Sequence, residues 1–163
     1  MRRLFIMRKD LAMTPGKLAA QVAHCAEAYW TRQILKNATR QDDRPIYVSP
    51  VETDAAIYEE YLCGMYVKTI CEARNKNHLL KVKESALALG FVENVDFGLI
   101  YDKCLTELEP EGEDGTTLTG IWFKPLPDDV AMRSAGSISC INNAAMRYEV
   151  KESSAQYLSH CEC

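Results

Sequence analysis

Apolar positions along the chain recur at two different spacings, and the places where the spacing changes mark its elements. Residues 3 to 8 hold the unbroken run Leu4-Phe5-Ile6-Met7, which reads as a strand covered on both faces. Residues 15 to about 35 read as a long amphipathic helix. Thr14 suits the N-cap, and Pro15 suits the first helical position because its missing N–H would be unpaired there anyway. On that helix Leu18, Val22 and Cys25 share one face and Lys17, Gln21 and His24 another. Residues 37 to 52 carry Asn, Asp, Pro and Ser and read as a loop. A short helix is predicted over 52 to 62 with Gly64 as its left-handed cap, then a strand over 65 to 71. Residues 75 to 89 form a second helical stripe, stopped by Gly90. Strands are predicted over 95 to 101 and 116 to 123, and a last short helix from 127 to about 135.

Strands alternating with helices predict a single three-layer α/β/α domain with a mostly parallel sheet, its first strand central or nearly so. The domain is taken as residues 1–141. Residues 142–163 are a C-terminal extension in which Met146, Val150 and Tyr157 fall roughly on one helical stripe, so a helix or arm packed on the domain or on a second subunit is expected. No run approaches the ~20 apolar residues of a membrane span. Arg2-Arg3 is not followed by the apolar core of an export signal, since charge returns at Arg8, Lys9 and Asp10. A cytoplasmic protein without membrane contact is expected. The seven cysteines are odd in number and scattered through a chain long enough to fold unstapled, which predicts reduced thiols. His160, Cys161 and Cys163 supply only three potential ligands near the terminus, so no metal and no cofactor are expected.

Charge changes the picture by its distribution. The net value is −4, yet residues 1–40 hold eight Lys/Arg against two acids. A polyanion is therefore expected to meet the N-terminal strand and helix, with Arg2 or Arg3, Lys9, Lys17 and Lys103 as its contacts. The stretch Glu109 to Gly115 is an acidic turn, expected to be exposed because so many like charges cannot be buried unpaired.

The candidate chemistry lies where strands end. Ligands of open α/β sheets bind beyond the carboxyl ends of strands, and there the chain delivers Asp10 to Gly16 and Asp102 to Thr106. Gly16 and Lys17 lie in the first turn of the long helix, where unpaired N–H groups and the dipole favour anions. Lys17 and Asp102 are thus expected to converge on one pocket.

The series Arg8-Lys9-Asp10-Leu11, then Met13-x-x-Gly16-Lys17-x-Ala19-Ala20-Gln21-x-x-His24, resembles the opening of the type 2 peptidyl-tRNA hydrolases. The resemblance continues in order through residues 65–71, 77–90, the strand Gly98-Leu99-Ile100-Tyr101-Asp102, residues 116–123 and Pro125-Leu126-Pro127. It spans roughly residues 2 to 141, with a longer connection than usual at 37 to 64. It implies a four-stranded mixed sheet in which one strand opposes the others. It also implies hydrolysis of the ester of peptidyl-tRNA, with the acceptor end of that tRNA as partner; a homodimer is an open expectation that the sequence does not settle. As site residues it implies Lys17, Asp102, Thr106 and His24 for catalysis, and Gly16, Gln21, Lys9, Arg8 and Lys103 for substrate binding. After Asp102 the chain departs from the family pattern Asp-Ala-Gly-Arg-Thr-Gln, reading Asp102-Lys103-Cys104-Leu105-Thr106-Glu107. That exchanges a phosphate-friendly loop for an acidic one. Two other readings of the same residues are a catalytically weak module binding RNA or protein, and a hydrolase of another small ester or amide.

Overall fold

A computed structural model describes residues 1–135 and 139–140. Four long strands, β1 (Arg2–Arg8), β4 (Val67–Ala73), β5 (Phe97–Asp102) and β6 (Thr117–Phe123), form one mixed sheet, to whose edge the two-residue β7 (Ser139–Cys140) adds a fifth member. The order is β5-β6-β1-β4-β7. β1 and β4 run parallel, β6 runs antiparallel to β1, and β5 runs antiparallel to β6. Among the four long strands β6 therefore opposes the other three, and β1 lies between β6 and β4 as its apolar run predicts.

The period of two in β1 builds both halves of the core. Leu4 and Ile6 join one cluster with Leu79, Val82 and Ala86 of α2 (Lys76–Ala88) and Ala131 and Ala135 of α3 (Asp128–Ala135). Phe5 and Met7 point the other way, into a second cluster with Cys25 and Tyr29 of α1 (Pro15–Asn37) and Trp122. Burying a side chain of this size contributes about 2 kcal/mol, so the alternation commits β1 to its place in the sheet. Arg3, on the α1 side, is wholly buried without a carboxylate partner among the described residues. Its guanidinium donates to the carbonyls of Cys25, Ala26 and Phe123 and lies over the Phe5 and Tyr29 rings, tying α1 to the sheet.

The connection at 37–66 differs most from expectation. Its loop contains a small hairpin of β2 (Thr39–Arg40) and β3 (Tyr47–Val48). The following helix is a π-helix over Ile57–Met65, within which Gly64 is extended at φ −93°, ψ −144°. The left-handed residue that ends it is Tyr66, φ 53°, its ring stacked near Tyr61 and beneath the Lys68 ammonium. Gly90 does stop α2 in the left-handed region, φ 84°.

Cys25 and Cys104 are free thiols, whereas Cys71 is disulfide-bonded, which corrects the expectation of uniformly reduced cysteines. Among the described residues no helix is long and apolar enough to cross a membrane. The expected stripe Met146, Val150 and Tyr157 and the trio His160, Cys161 and Cys163 lie outside the described residues.

Candidate active site

The start of α1 and the end of β5 meet at one edge of the domain, as the strand-end rule requires. Thr14 is the N-cap, its Oγ1 accepting from the Lys17 N–H at 3.3 Å. Three residues on, the Lys17 ammonium reaches Asp102 Oδ2 at 2.7 Å and Thr106 Oγ1 at 3.1 Å. Lys17, Asp102 and Thr106 together line a cavity of about 570 Å³ that runs beside α1 past His24 and Glu27 to Thr31, with Leu99 to Asp102 on its strand side.

Asp102 is the most heavily bonded group in the site. Its Oδ2 takes Lys17 and, at 2.5 Å, the Gln21 side-chain amide; its Oδ1 takes the Cys104 N–H at 2.8 Å. Burial alone would push this carboxyl up, but the Lys17 ammonium, the Cys104 N–H and the Gln21 amide outweigh it and hold the pKa below the usual carboxylate value. Gln21 is itself oriented from behind, since its Oε1 accepts from the Thr119 hydroxyl at 2.7 Å. Every polar atom of that amide is therefore assigned by its neighbours.

This geometry corrects the expected polar face of α1. The positions buried on the sheet are Gln21, Cys25 and Tyr29, with Leu18 and Val22 only partly covered. Gln21 is 1% exposed because Asp102 and Thr119 satisfy it there. His24 is exposed on the cavity wall and makes no bond to the Lys17, Asp102 and Gln21 group. Gly16 is exposed, and a Cβ there would meet nothing within 4 Å, so no close backbone approach demands the glycine.

Two expected substrate contacts are occupied elsewhere. Arg8 is 4% exposed, and its guanidinium is shared between Asp10 and Glu111 at 2.7 Å each and the Leu118 carbonyl. Burial works against that charge, but the two carboxylates more than reverse it and raise the pKa further. Lys9 pairs with Glu72 at 2.9 Å and does not line the cavity. Lys103 does line it.

The loop after Asp102 folds in a way its sequence concealed. Cys104 occupies the glycine position of the resembled pattern and takes the left-handed conformation, φ 53°, that a glycine would adopt freely. Its N–H bond to Asp102 Oδ1 closes a side-chain turn that offsets the strain, of the order of 1–2 kcal/mol. Glu107, in place of glutamine, accepts from both the Thr14 N–H and the Thr14 hydroxyl at 2.6 Å. Those two bonds hold its pKa down. The acidic turn beyond it is not simply solvated, because Glu111 folds inward onto Arg8 and Lys76. Glu107 and Glu111 are the residues sequence reasoning missed. The signal was present as Thr14 at a helix start and Arg8 at a strand end, but their partners lie 93 and 103 residues away.

Among the described residues no three His, Cys, Asp or Glu gather as a metal site. The family model for Peptidyl-tRNA hydrolase PTH2 matches residues 1–141. The chain is 24% identical over 140 residues to a peptidyl-tRNA hydrolase of Thermococcus onnurineus, covering 86% of this chain and 97% of that protein. It is 29% identical over 109 residues to one of Methanopyrus kandleri, covering 67% and 75% respectively. With the match extending over most of its length, the chain belongs to the peptidyl-tRNA hydrolase PTH2 family.

Proposed function

We propose that the protein hydrolyses the ester joining a peptide to the 3′ ribose of tRNA at the Lys17, Asp102 and Thr106 cluster. The observation that carries this reading is the ammonium of Lys17, held by Asp102 and Thr106 with one N–H left over among the described residues, on the wall of an open cavity. An ammonium has three donors, and the third is available to the ester carbonyl oxygen, where negative charge builds as water attacks. The water oxygen bonds to the carbonyl carbon, the bond to the ribose oxygen breaks, and a water proton ends on that ribose oxygen.

Asp102 has a divided role in this scheme. A carboxylate with a depressed pKa is a weak base, so its main contributions are orienting the water and fixing Lys17 as an ammonium. Gln21 acts through Asp102 and is a positioning residue. Thr106 donates or relays a hydrogen bond beside the ammonium. His24, on the cavity wall, contacts the bound substrate rather than the reacting water.

The same reading places the protein in the cytoplasm and makes residues 142–163 an extension of the family domain, for which the 1–141 extent of the family match is the support. A homodimer is part of it, supported by the exposed apolar side chains Leu62, Met65 and Tyr66 before β4. Hydrolysis of a small ester or amide without a nearby phosphate is the second reading, favoured by Glu107, whose carboxylate stands at the helix start where an anion was expected.

Purified protein, assayed on a peptidyl-tRNA pool beside Asp102→Asn and Lys17→Ala, tests the reading. Release of free tRNA by the wild type and its loss in both variants is the expected result. Turnover unchanged by both substitutions would remove the cluster from the chemistry.

A further inference from the structure

The basic excess of residues 1–40 does not survive folding evenly. Arg2 is paired with Asp128, Arg8 with Asp10 and Glu111, Lys9 with Glu72 and Lys17 with Asp102, while Arg3 is buried. Arg32, Lys36 and Arg40 remain, exposed and without a carboxylate partner among the described residues. Arg32 and Lys36 lie in the last turns of α1, the end opposite Lys17, and Arg40 lies just beyond it in β2.

Arg32 and Lys36 are one helical turn apart and line a second cavity, of about 380 Å³, together with Leu35, Asn94 and Val95. Its floor is rigid. The Trp122 indole is wholly buried and sits so close to Gly98 of β5 that a Cβ there would lie 2.8 Å from the ring. Tyr29 packs against Trp122, and the Arg32 guanidinium lies 5.7 Å from the Trp122 ring centroid. The cation-π contact fixes where the Arg32 charge is presented without neutralising it. Asn94, left-handed at φ 68° just before β5, holds a side-chain amide at the mouth.

We propose that this second cavity is a subsite for the ribose-phosphate backbone of RNA, distinct from the ester-cleaving site. It takes phosphate on Arg32 and Lys36, offers the Asn94 amide to a ribose hydroxyl, and leaves the apolar Leu35 and Val95 against the sugar. From Lys17 to Arg32 is fifteen helical residues, about 22 Å. A substrate engaging both ends of α1 must therefore extend several nucleotides from its ester. Glu27, exposed on the wall of the first cavity part-way along α1, disfavours phosphate there, so the RNA is gripped at the ends of the track. The inference rests on the peptidyl-tRNA reading for the identity of the RNA, and on the cation census for the location.

The test uses the full chain with Arg32→Gln, Lys36→Gln and Lys36→Glu, and two measurements. Binding of deacylated tRNA is followed across a salt series, and hydrolysis is followed on peptidyl-tRNA and on the same ester carried by a CCA trinucleotide. Lys36→Glu should weaken tRNA binding about tenfold, and the Arg32→Gln/Lys36→Gln pair should flatten the salt slope by about 2. KM for peptidyl-tRNA should rise with kcat unchanged, and the trinucleotide ester should be cleaved as by the wild type. Because Lys36 is exposed, its variants report on binding even if Arg32→Gln disturbs Trp122. Unchanged tRNA affinity and salt slope in the Lys36 variants would overturn the subsite while leaving the hydrolase reading intact. If wild-type protein binds tRNA through these residues yet cleaves neither ester, the subsite stands and the hydrolase reading falls. Equal damage to trinucleotide hydrolysis would also overturn it, since the trinucleotide cannot reach the far end of α1.

Discussion

The two ends of α1 carry the same kind of side chain in opposite states. At its start Lys17 is fixed by Asp102 and Thr106, and Thr14 is bound by Glu107, so these polar groups are already partnered before any ligand arrives. At its end Arg32 and Lys36 stand beside a cavity with no carboxylate partner among the described residues. A preorganised pair suits chemistry, because donors already in place need not reorganise as charge develops. Unpaired cations suit attraction of a polyanion, because no internal ion pair must break first. Positive residues in one short segment can thus serve unlike ends, and linear charge content does not say which.

The sharpest way to break this comparison is at Asp102. Asp102→Asn should lower kcat/KM by about two orders of magnitude, near 3 kcal/mol, with tRNA affinity little changed. Single-turnover hydrolysis beside tRNA binding would check it, and a loss confined to binding would make the two ends alike. Next in size is Arg8→Met, which removes the shared cation from Asp10 and Glu111. About 2 kcal/mol of stability should go, read by denaturant unfolding, with KM unchanged because Arg8 does not line the cavity.

Gln21→Leu comes third. It leaves Asp102 and the Thr119 hydroxyl each one partner short, and should lower kcat about tenfold, while Gln21→Glu adds a repelling charge and does not rescue. Acid titration gives a finer cut. The Asp102 pKa is depressed in the folded protein, so its contribution to stability is complete above the unfolded value, about 3.9, and is lost as pH falls through the lower folded value. The acid limb of kcat should therefore lie below about pH 4 in the wild type and move upward in Lys17→Ala, which removes the lysine bond. A limb that stays in place would detach Asp102 from Lys17 in function. The smallest effect is expected of Glu107→Ala, which frees Thr14 and loosens the loop that carries Thr106. A fall of about threefold in kcat, partly restored by Glu107→Gln, is the expected reading.

Most of the architecture was legible because it depends on local pattern. The apolar run of β1, the Thr14 cap followed by Pro15, and the stop at Gly90 each act within a few residues, and each of those elements appeared within a few residues of its expected bounds. The π-wound helix before β4 was not legible. It buries Ile57 and Tyr61, and nothing in the spacing of its apolar residues distinguishes it from an ordinary helix.

For the site, local order was enough to name the groups that could do chemistry at strand ends: a lysine in the first turn of α1 and a carboxylate closing β5. Only the tertiary structure decided that Gln21 turns inward and His24 outward. Both are polar, and the rotation of α1 is set by partners, Asp102 and Thr119, that are 81 and 98 residues distant. The tertiary structure likewise decided which cations are spent. An ion pair forms where folding brings a carboxylate within about 4 Å, and Glu111 lies 103 residues from Arg8. Local order sets propensity and period; pairing across a sheet is settled by which strands become neighbours.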